Sequence, residues 1–200
     1  MYKRQIQNKV IRKKAQWVYK FTENNQGKID MWHMTYYQLH NVGHETAKNP
    51  VEMTLASYGS EKYKVDLAKC VSSDGKTILV NYNREDPSSN RGVDVSEFAN
   101  KVHIKYTIDI PPDDYVEYTT VYRKAFDTEV SDACFTKTSI IEAELIANYP
   151  EGYVFNVFPS FSSRLRPIDE GMSGTHQVYK LDGVALPYQG FFFSLIKKTQ

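Results

Sequence analysis

No stretch of the chain approaches the roughly 18–20 consecutive apolar residues needed to cross a bilayer, and the N-terminus is basic and polar, without the apolar core of a secretory signal. Cysteine is nearly missing. Cys70 and Cys134 are the only two, which excludes a disulfide-dense scaffold. A secreted sandwich would bridge such a pair, but without a signal sequence they read as inert, buried thiols in a reducing, cytoplasmic setting. Charge of one sign is missing too. The 25 basic and 24 acidic residues leave a net charge of +1, so the long-range field that would gather nucleic acid or an anionic membrane is absent. There is no GxSxG elbow, no glycine-rich phosphate loop and no HExxH pair. The five histidines, His33, His40, His44, His103 and His176, have no metal-ligand spacing, and His33 and His40, an odd number of residues apart, would face opposite sides of a strand. No metal, no cofactor and no catalytic residue is assigned.

What the chain has in quantity is strict alternation. From Lys101 to Ile110 every second residue is apolar: Val102, Ile104, Tyr106, Ile108 and Ile110 point one way and the polar residues the other, the signature of a half-buried strand. The same period recurs at Ala15/Trp17/Tyr19/Phe21, Tyr63/Val65/Leu67 and Ile78/Val80/Tyr82. Aromatic side chains suit such pleated surfaces, and the chain carries 15 Tyr and 10 Phe. Strands are predicted over 14–22, 28–39, 51–57, 62–70, 76–82, 101–110, 115–126, 133–147, 152–158, 176–181 and 189–197. None of them is interrupted by proline. Asn24-Asn25-Gln26-Gly27 predicts one hairpin and Ser72-Ser73-Asp74-Gly75-Lys76 a second, because these residues tolerate positive φ. Thr138–Asn148 carries helix formers but alternates like its neighbours, and is read as strand. The polar stretch 83–100 predicts a long loop with a helical turn near Val95–Ala99.

Many short strands and hairpin-type turns point to an all-β protein, an antiparallel, immunoglobulin-like β-sandwich. Pro111-Pro112 near the midpoint raises the alternative of two small packed sandwiches, and a closed, lipocalin-like barrel is a further one. The corresponding division is 1–12 as a leading segment, 13–110 as a first half and 113–200 as a second, or one continuous domain. Met1-Tyr2-Lys3-Arg4-Gln5 reads as a translated sequencing-library adapter, and the basic run Lys9–Lys14 as a linker or N-terminal arm. The natural protein would then continue upstream.

Among polar features, Arg164-Leu165-Arg166 stands out. In an extended segment both guanidiniums project to one side, just after the aromatic run Tyr153/Phe155/Phe158/Phe161, and such forks beside rings grip phosphates or carboxylates. Arg164, Arg166, Tyr153 and Phe155 are therefore the candidate ligand-binding residues; charge guarding an edge strand is the competing explanation. Paired carboxylates at Asp113/Asp114 and Glu142/Glu144 read as solvated charges. In Phe191-Phe192-Phe193 the middle ring must face away from its neighbours.

The aromatic strand WVYKF, the NNQGK hairpin, the strand-DGK-strand hairpin, IDIPPDDYVEY, YPEGY and the final LPYQGFFFSL together resemble the β-sandwich accessory or sensor modules of bacterial multidomain signalling and defence proteins, and the domain that precedes bacterial transglutaminase-like domains. The resemblance spans about Trp17 to Leu195 and implies a non-catalytic recognition or sensor module, a fragment of a larger bacterial protein with a fused upstream effector. Its partner would be a protein or a small ligand. Two alternatives are a β-barrel binding a small, nucleotide-like ligand and a structural or assembly sandwich.

Overall fold

The computed structural model describes residues 9–57, 62–98, 100–127, 129–160, 164–169 and 174–198; Met1–Gln5 and Phe161 lie outside them. In chain order the strands are β1 (Val10–Glu23), β2 (Ile29–Asn41), β3 (Ala47–Ala56), β4 (Lys64–Ser72), β5 (Ile78–Asn83), β6 (Asp94–Phe98), β7 (Lys101–Ile110) and β8 (Tyr115–Phe126). They continue with β9 (Val130–Phe135), β10 (Ile140–Asn148), β11 (Tyr153–Pro159), β12 (Arg164–Asp169), β13 (His176–Asp182), β14 (Val184–Ala185) and β15 (Gly190–Lys197).

One large sheet runs β12-β13-β10-β1-β2-β8-β4-β5, with β14 also paired to β10; two three-stranded sheets, β11-β15-β9 and β3-β7-β6, complete the set. Both small sheets pack on the same face of the large one. Trp17 and Tyr19 of β1 meet Phe191 and Phe193 of β15, with ring centroids 5.2 Å and 4.6 Å apart, while Tyr118 of β8 meets Tyr106 of β7 at 5.8 Å. The molecule is therefore an all-β sandwich whose second layer is split in two. The described strands form no closed barrel.

Alternation accounts for most of this. All five apolar residues of β7 are buried, each such burial being worth about 1.5–3 kcal/mol over exposure. Both predicted hairpins form, joining β1 to β2 and β4 to β5. The Asn24 side-chain oxygen accepts from the Gln26 and Lys28 amides, and Asp74 from Lys76. Thr138–Asn148 is largely strand, as β10, but the stretch predicted as one strand over 133–147 breaks between β9 and β10.

Several expectations are corrected. The sheets are not wholly antiparallel, since β1 and β10 run parallel side by side in the middle of the large sheet. The spans 13–110 and 113–200 are hydrogen-bonded into that one sheet through β1–β10 and β2–β8. The loop at 83–100 contains a short 3-10 turn at Pro87–Ser89 and then β6 where a helical turn was predicted. Prolines do enter strands: Pro50 in β3, Pro159 in β11 and Pro167 in β12. All three strands are sheet edges, where a missing N–H costs no ladder bond.

The leading segment is corrected as well, because Val10, Ile11 and Arg12 belong to β1. The basic run hides this through a double irregularity. Lys14 (φ 50°) and Glu142 (φ 61°) both take the left-handed conformation, and the parallel register steps from Lys13 opposite Ile141 directly to Ala15 opposite Ala143. The bulges shift the inward phase of both strands together, so Val10 is buried before the bulge and Ala15, Trp17 and Tyr19 after it, with Ile140 and then Ala143 and Leu145 in β10. A side chain in this conformation costs about 1–2 kcal/mol that glycine avoids. Lys14→Gly and Glu142→Gly are each expected to raise stability by about 0.5–1 kcal/mol in urea titrations, whereas glycine in a regular strand position would lower it.

Candidate functional site

The residues singled out from the sequence do not converge. Arg164 and Arg166 sit on β12, the edge of the large sheet, opposite Asp182 and Lys180 of β13. Both are exposed, Leu165 between them is buried, and Arg166 Nη2 lies 3.4 Å from Asp182 Oδ1. Tyr153 and Phe155 lie on β11 in a different sheet, turned inward. Phe155 packs in the core against Phe21 and Phe193 at 5.8 Å and 5.5 Å, and Tyr153 is buried beneath Lys197. Phe192 does face away from Phe191 and Phe193: those two are buried, while Phe192 is half exposed and touches Phe135 edge-on at 5.1 Å.

The buried polar groups are not arranged for chemistry. His33 is fully enclosed, stacked on Tyr122 at 4.5 Å and edge-on to Tyr19 at 4.1 Å, and its Nε2 shares a 2.6 Å hydrogen bond with Thr35 Oγ1. Burial pushes its pKa down to about 3, which keeps the ring neutral. Burial also raises the Cys70 and Cys134 thiols to about 12, so neither is a ready nucleophile. Asp132 is raised by burial and accepts a hydrogen bond from the Tyr63 hydroxyl. The remaining histidines are scattered: His40 stacks on Tyr115, His103 contacts Thr54, and His176 contacts Asn148. Among the described residues no group of three His, Cys, Asp or Glu side chains is placed to hold a metal ion.

A different set of residues does converge, on the opposite face of the large sheet from the core. Cross-strand register places Lys20 of β1 beside Trp32 of β2, Trp32 beside Arg123 of β8, and Arg123 beside Lys64 of β4. These four form one rank across four strands, a cation at each end and Trp32 half-buried between. The Lys20 ammonium lies 5.0 Å from the Trp32 ring centroid, within cation–π range. Arg123 is held rigidly, its Nε 2.6 Å from Asp66 Oδ2 and its Nη2 2.8 Å from Asp66 Oδ1. The rank floors an open groove of about 510 Å³, which Lys62, Lys124 and Asp30 also line.

Lysines therefore outnumber carboxylates around a half-buried indole. Lys124 is partly buried, over the Tyr63 and Phe126 rings at 4.8 Å and 4.4 Å, and burial lowers its pKa. The groove presents charge and a flat apolar surface, and no nucleophile with a base beside it. Sequence reasoning missed it because its members lie on four strands far apart in the chain, brought together only by register. One signal was present: Trp32 occupies the solvent phase of β2, between the buried Met31 and His33, where a large apolar ring calls for an explanation.

No family model matches the chain, and no curated protein matches it in sequence. Among solved structures, a candidate nutrient-binding protein of Legionella pneumophila superimposes with a TM-score of 0.53 at 8% identity, covering 95% of this chain and 68% of its own. A candidate protease of Parabacteroides distasonis gives 0.50 at 8% identity over 92% of this chain. The chain spans 40% of that protease's length. At such identities the likeness is one of fold. Among the described residues no helix is long and apolar enough to cross a membrane.

Proposed function

We propose that the chain is a non-catalytic recognition module, an accessory or sensor domain of a larger bacterial protein, whose ligand is anionic and carries a flat ring. The observation that carries this reading is the in-register rank of Lys20, Trp32, Arg123 and Lys64 along an open groove. Lysines beside a half-buried indole suit a phosphorylated ring: the ring stacks on Trp32 and the phosphates meet the ammonium groups. A nucleotide-like ligand, expected inside a barrel, is thereby reassigned to an open sheet face. The nutrient-binding description of the Legionella protein is in keeping with a binding role for this chain.

Titration with ATP, followed by tryptophan fluorescence, tests the reading. Wild-type emission is expected to quench with saturation. Trp32→Phe is expected to remove the quenching, and Lys20→Ala with Lys64→Ala to weaken binding at least tenfold, about 1.4 kcal/mol. Affinity should fall as salt rises. Neither ATP nor a nucleoside monophosphate quenching the wild type, or the double variant binding as tightly as wild type, would reject the groove as the ligand site.

A further inference from the structure

The two small sheets of the second layer meet at a seam over the large sheet's inner face. At the seam, Val51–Leu55 of β3 and Ala133–Phe135 of β9 flank a cleft of about 230 Å³, floored by Arg12, Trp17, Thr35, Tyr37, Tyr118 and Tyr122. Arg12 reaches it because the bulge at Lys14 sets the phase of the strand: Arg12, opposite Leu39, points inward on one side of the bulge as Trp17 does on the other.

The Arg12 guanidinium lies over the Tyr37 ring, its Cζ 4.3 Å from the centroid, and its Nη1 donates to Thr136 Oγ1 at 3.2 Å. Its Nε is buried without a hydrogen-bond partner, whereas the buried Tyr118 hydroxyl sits with the hydroxyls of Tyr106 and Thr120. None of the ion pairs among the described residues involves Arg12. The carboxylate on the cleft wall, Glu52, is held by Lys105 at 3.6 Å and Lys137 at 3.5 Å. A partly buried cation with a free N–H edge and no counter-charge is costly unless an anion meets it. Lys137, Thr35 and Thr54 are the other polar residues of the lining, and the rest is apolar or aromatic.

We propose that this cleft is a second binding site, for a small carboxylate with an apolar or aromatic body. The carboxylate accepts from the Arg12 Nε–H edge, and the body lies among Trp17, Tyr122 and Leu55. The volume is below the roughly 300–1,000 Å³ typical of pockets for drug-sized ligands, so the occupant is of amino-acid size. A guanidinium backed by a ring and fixed by Thr136 is pre-oriented for a planar carboxylate in a way that a lysine is not. The site is independent of the Trp32 groove, which lies on the other face of the sheet.

Benzoate and its neutral isostere benzamide are the probes, titrated into the full chain and followed by calorimetry and by the Arg12 Nε–H resonance. Benzoate is expected to bind at least tenfold more tightly than benzamide and to shift that resonance. Arg12→Met is expected to lose the preference for benzoate while retaining ATP quenching at Trp32, a retention that also shows the variant is folded. Should Arg12→Met fail to fold, the wild-type resonance decides alone. Equal binding of the two probes, no binding of benzoate, or an unmoved Arg12 resonance would overturn the assignment. Loss of ATP binding with benzoate binding intact would reject the groove reading and leave this one standing.

Discussion

Gly190→Ala is expected to cost roughly 3 kcal/mol or more of folding stability, read as a fall in the denaturant midpoint. A Cβ at Gly190 would lie 1.8 Å from the Cys134 carbonyl oxygen and 2.8 Å from the Phe135 Cα. Both are backbone atoms of the neighbouring strand, so no side chain can swing aside. The only relief is to part β15 from β9, which breaks a ladder running from Gly190 opposite Phe135 to Leu195 opposite Val130. That ladder holds Phe191 and Phe193 against Trp17 and Tyr19. Gly75, in an open turn with nothing within 4 Å of its added Cβ, provides the contrast: alanine there meets only the strain of a positive φ, about 1–2 kcal/mol. A Gly190→Ala midpoint equal to wild type would disprove the close approach of β9 and β15.

Acid is expected to destabilise the protein through His33. The ring titrates near its ordinary pKa of about 6.5 in the unfolded chain and near 3 when folded, because burial disfavours the imidazolium. The unfolded state therefore binds more protons between these values. The His33 contribution is fully present above about pH 6.5 and is lost as pH falls, at about 1.4 kcal/mol per unit, or about 2–3 kcal/mol by pH 4.5. Asp132, whose pKa burial raises, acts in the opposite direction: its contribution is present at low pH and lost as pH rises. His40 is lowered by partial burial and by Lys13 and Lys14, and acts with His33 more weakly. Comparing wild type with His33→Phe isolates the term. The phenyl ring keeps the stacking on Tyr122, and the slope of stability against pH between 6.5 and 4.5 is expected to flatten. An unchanged slope would mean that His33 is protonated in the folded protein.

The parts of this fold legible in the sequence are those governed by local rules. The β7 alternation predicts its buried face residue for residue, and the Asn24 and Asp74 turns predict two hairpins, because side-chain period and turn chemistry are properties of neighbouring residues. What stayed hidden depends on partners distant in the chain. The bulge at Lys14 is stabilised by its neighbour at Glu142, so the basic run looks like a linker when read alone. A bulge between Val65 and Leu67 likewise resets β4, placing Ala68 and Cys70 inward after Val65. The short edges β6, β12 and β14 bury too little apolar surface to leave a periodic trace. Arg164 and Arg166 were conspicuous because only Leu165 separates them in sequence, while Lys20, Trp32, Lys64 and Arg123 were silent because they lie on four different strands.

The parallel neighbour of β1 has a consequence for synthesis. Gln16 and Glu144, whose side chains meet at 3.3 Å, are separated by 128 residues, so the ribosome must release most of the polypeptide before the central strand gains its second flank. Until then the apolar ribbon from Ala15 to Phe21 has one bare edge, a template for pairing with another nascent chain. Such long-range closure slows folding relative to a helical protein of this size, and β13 and β12, which follow β10 in the chain and extend the sheet beyond it, have no edge to join until β10 is in place.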